Sequence, residues 1–235
     1  GLTEDNFLLV SDDSTHTLRQ LNLADDSAIR IPIGHQYVRS PVYDPVEKMV
    51  YWINGYYYYW ADNYMKRSYI NGTHEETLCC QESFQWSRSI RDIAVDPVSR
   101  LMYYSGDMSG GELNGYFLAS MTLDGRHHFL LVTSRTTSVD NIALDPITGT
   151  MYWSVGNGVY VAAMDGSQHH HLVNAHSSVL GLTIDAEGSE TSNPCKHNNG
   201  GCEHVCFSTP DGPQCACPGG FGEVVGSKCV NASGG

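Results

Sequence analysis

Tyr43-Asp44-Pro45-Val46-Glu47-Lys48-Met49-Val50-Tyr51-Trp52, Val95-Asp96-Pro97-Val98-Ser99-Arg100-Leu101-Met102-Tyr103-Tyr104 and Leu144-Asp145-Pro146-Ile147-Thr148-Gly149-Thr150-Met151-Tyr152-Trp153 align without gaps. Each reads as an apolar strand, a turn opened by Asp-Pro, and a second apolar strand ending in two aromatics. Proline presets φ for the turn, and aspartate accepts hydrogen bonds from the backbone just downstream. The three aspartates stand 52 and 49 residues apart, a period that suits one propeller blade per repeat.

Working outward, each copy continues to a second turn, at Asn71-Gly72, Asp124-Gly125 and Asp165-Gly166. These dipeptides favour the tight turns of antiparallel hairpins. A repeat is therefore four short strands, A to D, with tight A–B and C–D turns, and the fold class is all-β. Phe7–Ser11, Thr17–Leu23 and Ala28–Ile33 read as strands B, C and D of a first unit without an A strand. Val179-Leu180-Gly181-Leu182-Thr183-Ile184-Asp185 reads as an A strand with no B strand after it. The expectation is a four-bladed propeller over residues 1–190, closed by pairing of these N- and C-terminal strands. A homodimer that completes a larger ring is the alternative.

The repeats resemble the YWTD β-propellers of the low-density-lipoprotein-receptor family, over residues 7–190. Two departures stand out. Family propellers usually have six blades, and Ile53-Asn54, Ser105-Gly106 and Ser154-Val155 replace the Thr-Asp half of the motif. Beyond the propeller, the cysteine order Cys195, Cys202, Cys206, Cys215, Cys217, Cys229 resembles the EGF-like domain that follows YWTD propellers, here residues 191–235 with the C-terminal tail. Six cysteines allow fifteen pairings; the resemblance implies Cys195–Cys206, Cys202–Cys215 and Cys217–Cys229, with the EGF-like domain braced on the propeller's side. The absence of a C-x₂-C pair argues for disulfides over zinc, hence for an oxidising, secreted setting. Cys79-Cys80 is expected to form a disulfide, vicinal or intermolecular.

Loop lengths point to a binding face. From Trp52 to Gly72 is 20 residues, from Tyr104 to Gly125 is 21, but from Trp153 to Gly166 is only 13. The second and third units thus carry insertions between strands B and C, and long loops on a rigid scaffold are where binding concentrates. The insertions contain Tyr56, Tyr57, Tyr58, Tyr59, Trp60, Asp62 and Asn63 in one unit, and Asp107, Glu112 and Asn114 in the next. Trp86 lies in the D–A connection at the same end. Aromatics offer large rigid contact area with a polar tip, so these residues are the candidate ligand contacts. They suit an extracellular protein or, alternatively, a glycan stacked on Tyr and Trp as in a lectin.

A net charge of −13 with histidines neutral argues against nucleic acid, whose phosphates demand Lys and Arg. No apolar run nears the ~20 residues of a membrane-spanning helix. There is no Ser elbow, His-Glu-x-x-His pattern or phosphate loop; the reading is a non-catalytic binding protein without cofactor or metal. His169 and His171 alternate as if to share one strand face. Asn71-Gly72-Thr73 and Asn231-Ala232-Ser233 are N-glycosylation sequons.

Overall fold

The computed structural model describes residues 7–12, 14–34, 37–55, 63–79, 87–108, 115–135, 139–184, 193–218 and 223–230. Four antiparallel sheets follow one another in chain order. The first is β1 (Phe7–Asp12), β2 (Thr17–Asn22) and β3 (Ala28–Arg30). The second is β4 (Val38–Asp44), β5 (Met49–Asn54), β6 (Tyr64–Tyr69) and β7 (Glu76–Cys79). The third is β8 (Ser87–Asp96), β9 (Leu101–Met108), β10 (Gly115–Thr122) and β11 (His128–Ser134). The fourth is β12 (Asn141–Asp145), β13 (Thr150–Val155), β14 (Gly158–Ala163) and β15 (His170–Asn174). Each full blade pairs in the order A-B-C-D, and among the described residues the first sheet holds only strands B to D.

The turns explain why the repeat folds this way. Asp44, Asp96 and Asp145 are buried, and each Oδ1 accepts the N–H two residues on, from Val46, Val98 and Ile147. Lys48, Arg100 and Gly149, one residue before each B strand, all have positive φ (57°, 59° and 74°). That conformation turns their carbonyls toward the C–D turn of the same blade, where the N–H groups of Ile70, Leu123 and Met164 donate to them. At the C–D turns, Asp25, Asn71, Asp124 and Asp165 repeat one side-chain bond, accepting the N–H two residues downstream.

Alternate strand residues face the two neighbouring blades. Trp52 and Val50 pack back against Leu18 and Ile31 of the first blade, while Tyr51 and Ile53 pack forward against Ile93, Met102 and Tyr104 of the third. Tyr103 and Leu118 then face Met151 and Trp153 of the fourth. Burial of these large side chains, each worth about 1.5–3 kcal/mol, holds blade to blade.

Closure is where the structure differs from the sequence reading. Among the described residues β1 pairs with β2 alone, and residues 175–184 form no strand. Val179 stays beside the fourth blade, its N–H donating to the Gly156 carbonyl and its own carbonyl accepting from Asn141.

Beyond residue 192, β16 (Val205–Thr209) pairs with β17 (Gly212–Ala216), and β18 (Glu223–Val225) with β19 (Lys228–Val230). The disulfides are Cys195–Cys206, Cys202–Cys215 and Cys217–Cys229. This unit sits on the A–B and C–D turn end of the fourth blade rather than along the side of the wheel. Asn193 Nδ2 and Ser208 Oγ both donate to the Pro146 carbonyl, at 2.8 and 2.9 Å, and Gln168 donates to Asp211. Phe207 and Val205 complete the core between the third and fourth blades, with Phe207 edge-on to Phe129.

Candidate binding face

The A strands line the inner rim, where β4 contacts β8 and β8 contacts β12. Aligning them shows two polar columns near the B–C end: Arg39, Arg91 and Asp140, then Ser40, Asp92 and Asn141. The irregular register of β4 after Arg39, and of β8 around Ile90–Asp92, lets these side chains turn aside from the regular ladder. The second column links each blade to the next. Ser40 hydrogen-bonds Asp92, Asp92 Oδ2 accepts the Ile142 N–H at 2.9 Å, and Asn141 Nδ2 donates to the Val179 carbonyl at 3.3 Å. Burial pushes the Asp92 carboxyl above the usual carboxylate range, opposed by the bonds from Ser40, Ile142 and Ile93 and by Arg39.

Arg39 governs the mouth of the aromatic insertion. Its Nε donates to the Gly55 carbonyl at 3.1 Å, and Nη2 donates to Asn63 Oδ1 at 2.9 Å and to the Ile90 carbonyl at 3.2 Å. One planar guanidinium, suited to several directed bonds at once, thus pins both ends of the insertion and ties them to the next blade. Of the candidate contacts in this unit, Asn63 is half-buried and engaged in this clamp. Tyr56, Tyr57, Tyr58, Tyr59, Trp60 and Asp62 lie outside the described residues, as do Trp86, Glu112 and Asn114.

Asp107 is placed differently from the sequence reading, which put it in a loop. Residues 106–108 continue β9 and pair with 115–117 of β10, so half of the third unit's extra length is strand. Asp107 is nearly buried; Oδ2 accepts from Ser89 Oγ (2.8 Å) and Arg91 Nε (2.8 Å), with Arg91 Nη2 at 2.7 Å. Its place is to brace β8 through Ser89 and Arg91. Arg39, Arg91 and Asp92 were missed by the sequence reading; the signal available was the pair of polar residues interrupting each otherwise apolar A strand.

Among the described residues the histidines form no metal-binding group with one another. His169 precedes β15, His170 bonds the Gln168 carbonyl and His171 bonds Asn174 Oδ1. Among the described residues one three-member donor group occurs, Glu203, His204 and Cys229, and the Cys229 sulfur is committed to its disulfide. Cys79 ends β7, and Cys80 lies outside the described residues. No helix among the described residues is long and apolar enough to cross a membrane.

No protein-family profile matches the chain. Low-density lipoprotein receptor-related protein 5 of Mus musculus is 25 % identical over 273 residues, covering 79 % of this chain and 16 % of that protein; the Homo sapiens protein matches to the same extent. The chain thus spans less than a fifth of the length of these relatives. Low-density lipoprotein receptor-related protein 8 of Homo sapiens is 55 % identical over 29 residues, 12 % of this chain and 3 % of that protein. Among solved structures, the nidogen/laminin complex superposes with a TM-score of 0.62 at 21 % identity, over 76 % of this chain and 66 % of that one. A TolB-like protein of Agrobacterium tumefaciens shares the fold at a TM-score of 0.55 and 14 % identity, over 72 % and 58 % of the two chains. The chain carries a YWTD β-propeller of the low-density-lipoprotein-receptor type, followed by a three-disulfide, EGF-like unit.

Proposed function

We propose that this is a secreted, non-catalytic module that binds an extracellular protein through the B–C and D–A end of its second and third blades. Residues 1–190 form the propeller and 191–235 the EGF-like unit with its tail. The observation that carries the reading is the Arg39 clamp: both ends of the aromatic insertion are fixed to the rim and to the adjacent blade. Fixing the ends of a loop in advance lowers the ordering cost of binding. Tyr56–Trp60, Asp62, Asn63, Trp86, Glu112 and Asn114 are the proposed contacts, with Asp107 behind them. The EGF-like unit occupies the opposite end and leaves this face to a partner. Three disulfides and the sequons fit an extracellular setting, with Asn71 and Asn231 as proposed glycan acceptors. Asn71 is exposed in its turn, where its Oδ1 accepts from the backbone and hydroxyl of Thr73.

The relatives make protein the first class of ligand to try, since the nidogen structure is a complex with laminin. Binding of immobilised laminin and a glycan array, each run with the wild type and with Trp60→Ala, Tyr58→Ala and Arg39→Ala, test the reading. Saturable protein binding that weakens at least tenfold in all three variants is expected. Binding confined to glycans, lost in the Trp60 and Tyr58 variants, would replace the protein reading with a lectin. Binding of either kind that all three variants retain would refute the assigned face.

A further inference from the structure

At the A–B and C–D turn end, the second blade, the third blade and the EGF-like unit enclose a cavity of about 450 Å³, a size usual for ligand sites. The aromatic insertions lie at the other end of the blades. The second blade contributes Glu47, from its A–B turn, and Arg67, from β6. The third contributes Arg100 and the C–D turn at Leu123 and Asp124, and the EGF-like unit contributes Val205. Docking on the fourth blade makes the last wall stiff. Val205 belongs to the core between the third and fourth blades, and Asn199 Nδ2 donates to the carbonyls of Cys202 and His204, at 3.0 and 2.8 Å. Cys195–Cys206 and Cys202–Cys215 fix the rest of that wall. A cleft shaped before its ligand arrives lowers the ordering cost of binding.

The charges of the cleft decide what it can hold. Both of its arginines are engaged within the protein. Arg100 reaches Asp44 at 2.7 Å and Glu47 at 2.8 Å, while Arg67 pairs with Glu76 and donates Nη1 to the Leu123 carbonyl at 2.7 Å. Asp124 is matched least. Its Oδ1 serves its own turn, accepting from Thr122 Oγ1 and the Arg126 N–H, and Oδ2 has Arg126 Nε at 3.6 Å, on a side chain 78 % exposed. Three guanidinium groups (Arg67, Arg100, Arg126) thus stand against four carboxylates (Asp44, Glu47, Glu76, Asp124), in a chain of net charge −13. The carboxylates on the lining are also its most open charges: the Glu47 and Asp124 side chains are 51 and 44 % exposed, against 17 and 32 % for Arg67 and Arg100. Leu123 and Val205 give the same cleft an apolar wall.

We propose that this cleft binds an aliphatic ammonium group, its charge beside Asp124 and Glu47 and its apolar stem along Leu123 and Val205. An ammonium on a flexible stem is a compact point charge, able to approach a carboxylate beside the planar guanidinium groups already in place. A side chain with an apolar stem and a charged head matches a lining of both kinds. An anion would have to approach arginines already matched by carboxylates, with Glu47 and Asp124 at the same opening. The site stands apart from the aromatic face and does not rest on the reading of that face.

Backbone-amide NMR titration of the full chain tests this with four probes: Nα-acetyl-lysine methylamide, n-butylamine, the neutral Nα-acetyl-norleucine methylamide and the anionic Nα-acetyl-glutamate methylamide. Saturable shifts at Leu123, Asp124 and Val205 are expected from the two ammonium probes alone, weakening as salt is raised. Tighter binding of the lysine probe assigns the site to a protein side chain, and equal affinity to a free amine; either supports the proposal. Glu47→Gln combined with Asp124→Asn should weaken the ammonium probes about tenfold. The local bonds survive these changes, since an amide oxygen can still accept from Arg100, and asparagine fills the place of Asp124 in the second blade, as Asn71. Equal binding of the norleucine probe, or tighter binding of the glutamate probe, overturns the proposal on the wild type alone. So does the absence of saturable ammonium binding, or ammonium binding that the double variant retains in full.

Discussion

The boundary between the second and third blades and that between the third and fourth start from the same turn and solve it differently. At the first, Asp44 is fully buried and its Oδ2 accepts from Arg100 Nη1 at 2.7 Å, while Arg100 Nη2 reaches Glu47 at 2.8 Å. At the second, the residue in Arg100's place is Gly149, so Asp96 has no ion-pair partner among the described residues. Its Oδ1 instead takes the N–H groups of Val98 and Ser99. What stands in the cleared space is the EGF-like unit: a Cβ on Gly149 would fall inside the backbone of Thr209. A charged clamp joins one pair of blades, and a second domain joins the other. The comparison shows how a repeat fold makes a docking site for another domain by shortening one side chain at a fixed position.

Exchanging the two solutions is expected to have the largest effect. Gly149→Arg forces a side chain into Thr209 at a φ of 74° that suits glycine. Overpacking and backbone strain together set the loss at roughly 3 kcal/mol or more. The urea midpoint should fall, and amide protection in β16 should drop to that of an undocked EGF-like unit. Unchanged β16 protection would mean that the docking does not depend on this opening.

Breaking the clamp comes next. Arg100→Met leaves Asp44 buried without its cation. Removing one partner of a buried pair costs about 3–5 kcal/mol, and the part-exposed guanidinium brings this to about 2 kcal/mol. Asp44→Asn in the same chain should recover part of the loss, a coupling that a double-mutant cycle of urea midpoints would read.

Much of this architecture was legible locally. The Asp-Pro and Asp-Gly turns, the four strands of each blade and the cysteine pairing implied by the resemblance are properties of short segments, and the structure has them where they were read. What was not legible depends on residues far apart in sequence. Arg100 meets Asp44 across 56 residues, and Gly149 looks like an ordinary turn glycine until Thr209 stands over it. Arg39 gains its meaning from Gly55, Asn63 and Ile90 together. Closure is not a local property either: an unpaired A strand and an unpaired B strand imply each other in sequence, but among the described residues β1 pairs with β2 alone. Asp107 was read as loop because residue counting alone cannot divide extra length between strand and loop.

A pH experiment sharpens the contrast between the two aspartates. Burial raises the Asp96 carboxyl, opposed by the bonds from Ser99 and Val98 and by the more distant Arg100. A raised carboxyl favours the folded state while protonated. Its contribution is present below the ordinary carboxylate range and is lost as pH rises through the folded-state pKa. Asp96→Asn should therefore stabilise the protein at neutral pH and converge with the wild type in acid, since an amide oxygen can still accept from Val98 and Ser99. Asp44→Asn should instead destabilise the protein, because Arg100 then faces a neutral group. An Asp96→Asn variant no more stable than the wild type at neutral pH would remove the distinction drawn between the boundaries.

The smallest effect concerns the turn position itself. Lys48, Arg100 and Gly149 share a left-handed conformation because each must aim its carbonyl at the C–D turn, and a side chain there costs about 1 kcal/mol relative to glycine. Arg100 offsets that cost through Asp44 and Glu47, and Gly149 avoids it. Lys48 has no ion pair within 4 Å among the described residues, so it bears the strain without the clamp. Lys48→Gly should raise stability by roughly 0.5 kcal/mol, the relief of strain being partly cancelled by the greater freedom of glycine in the unfolded chain. Arg100→Gly should lower it. A rise in the urea midpoint at 48 and a fall at 100 would show that one backbone geometry is kept in all three turns and that only the neighbouring blade decides which side chain it can carry.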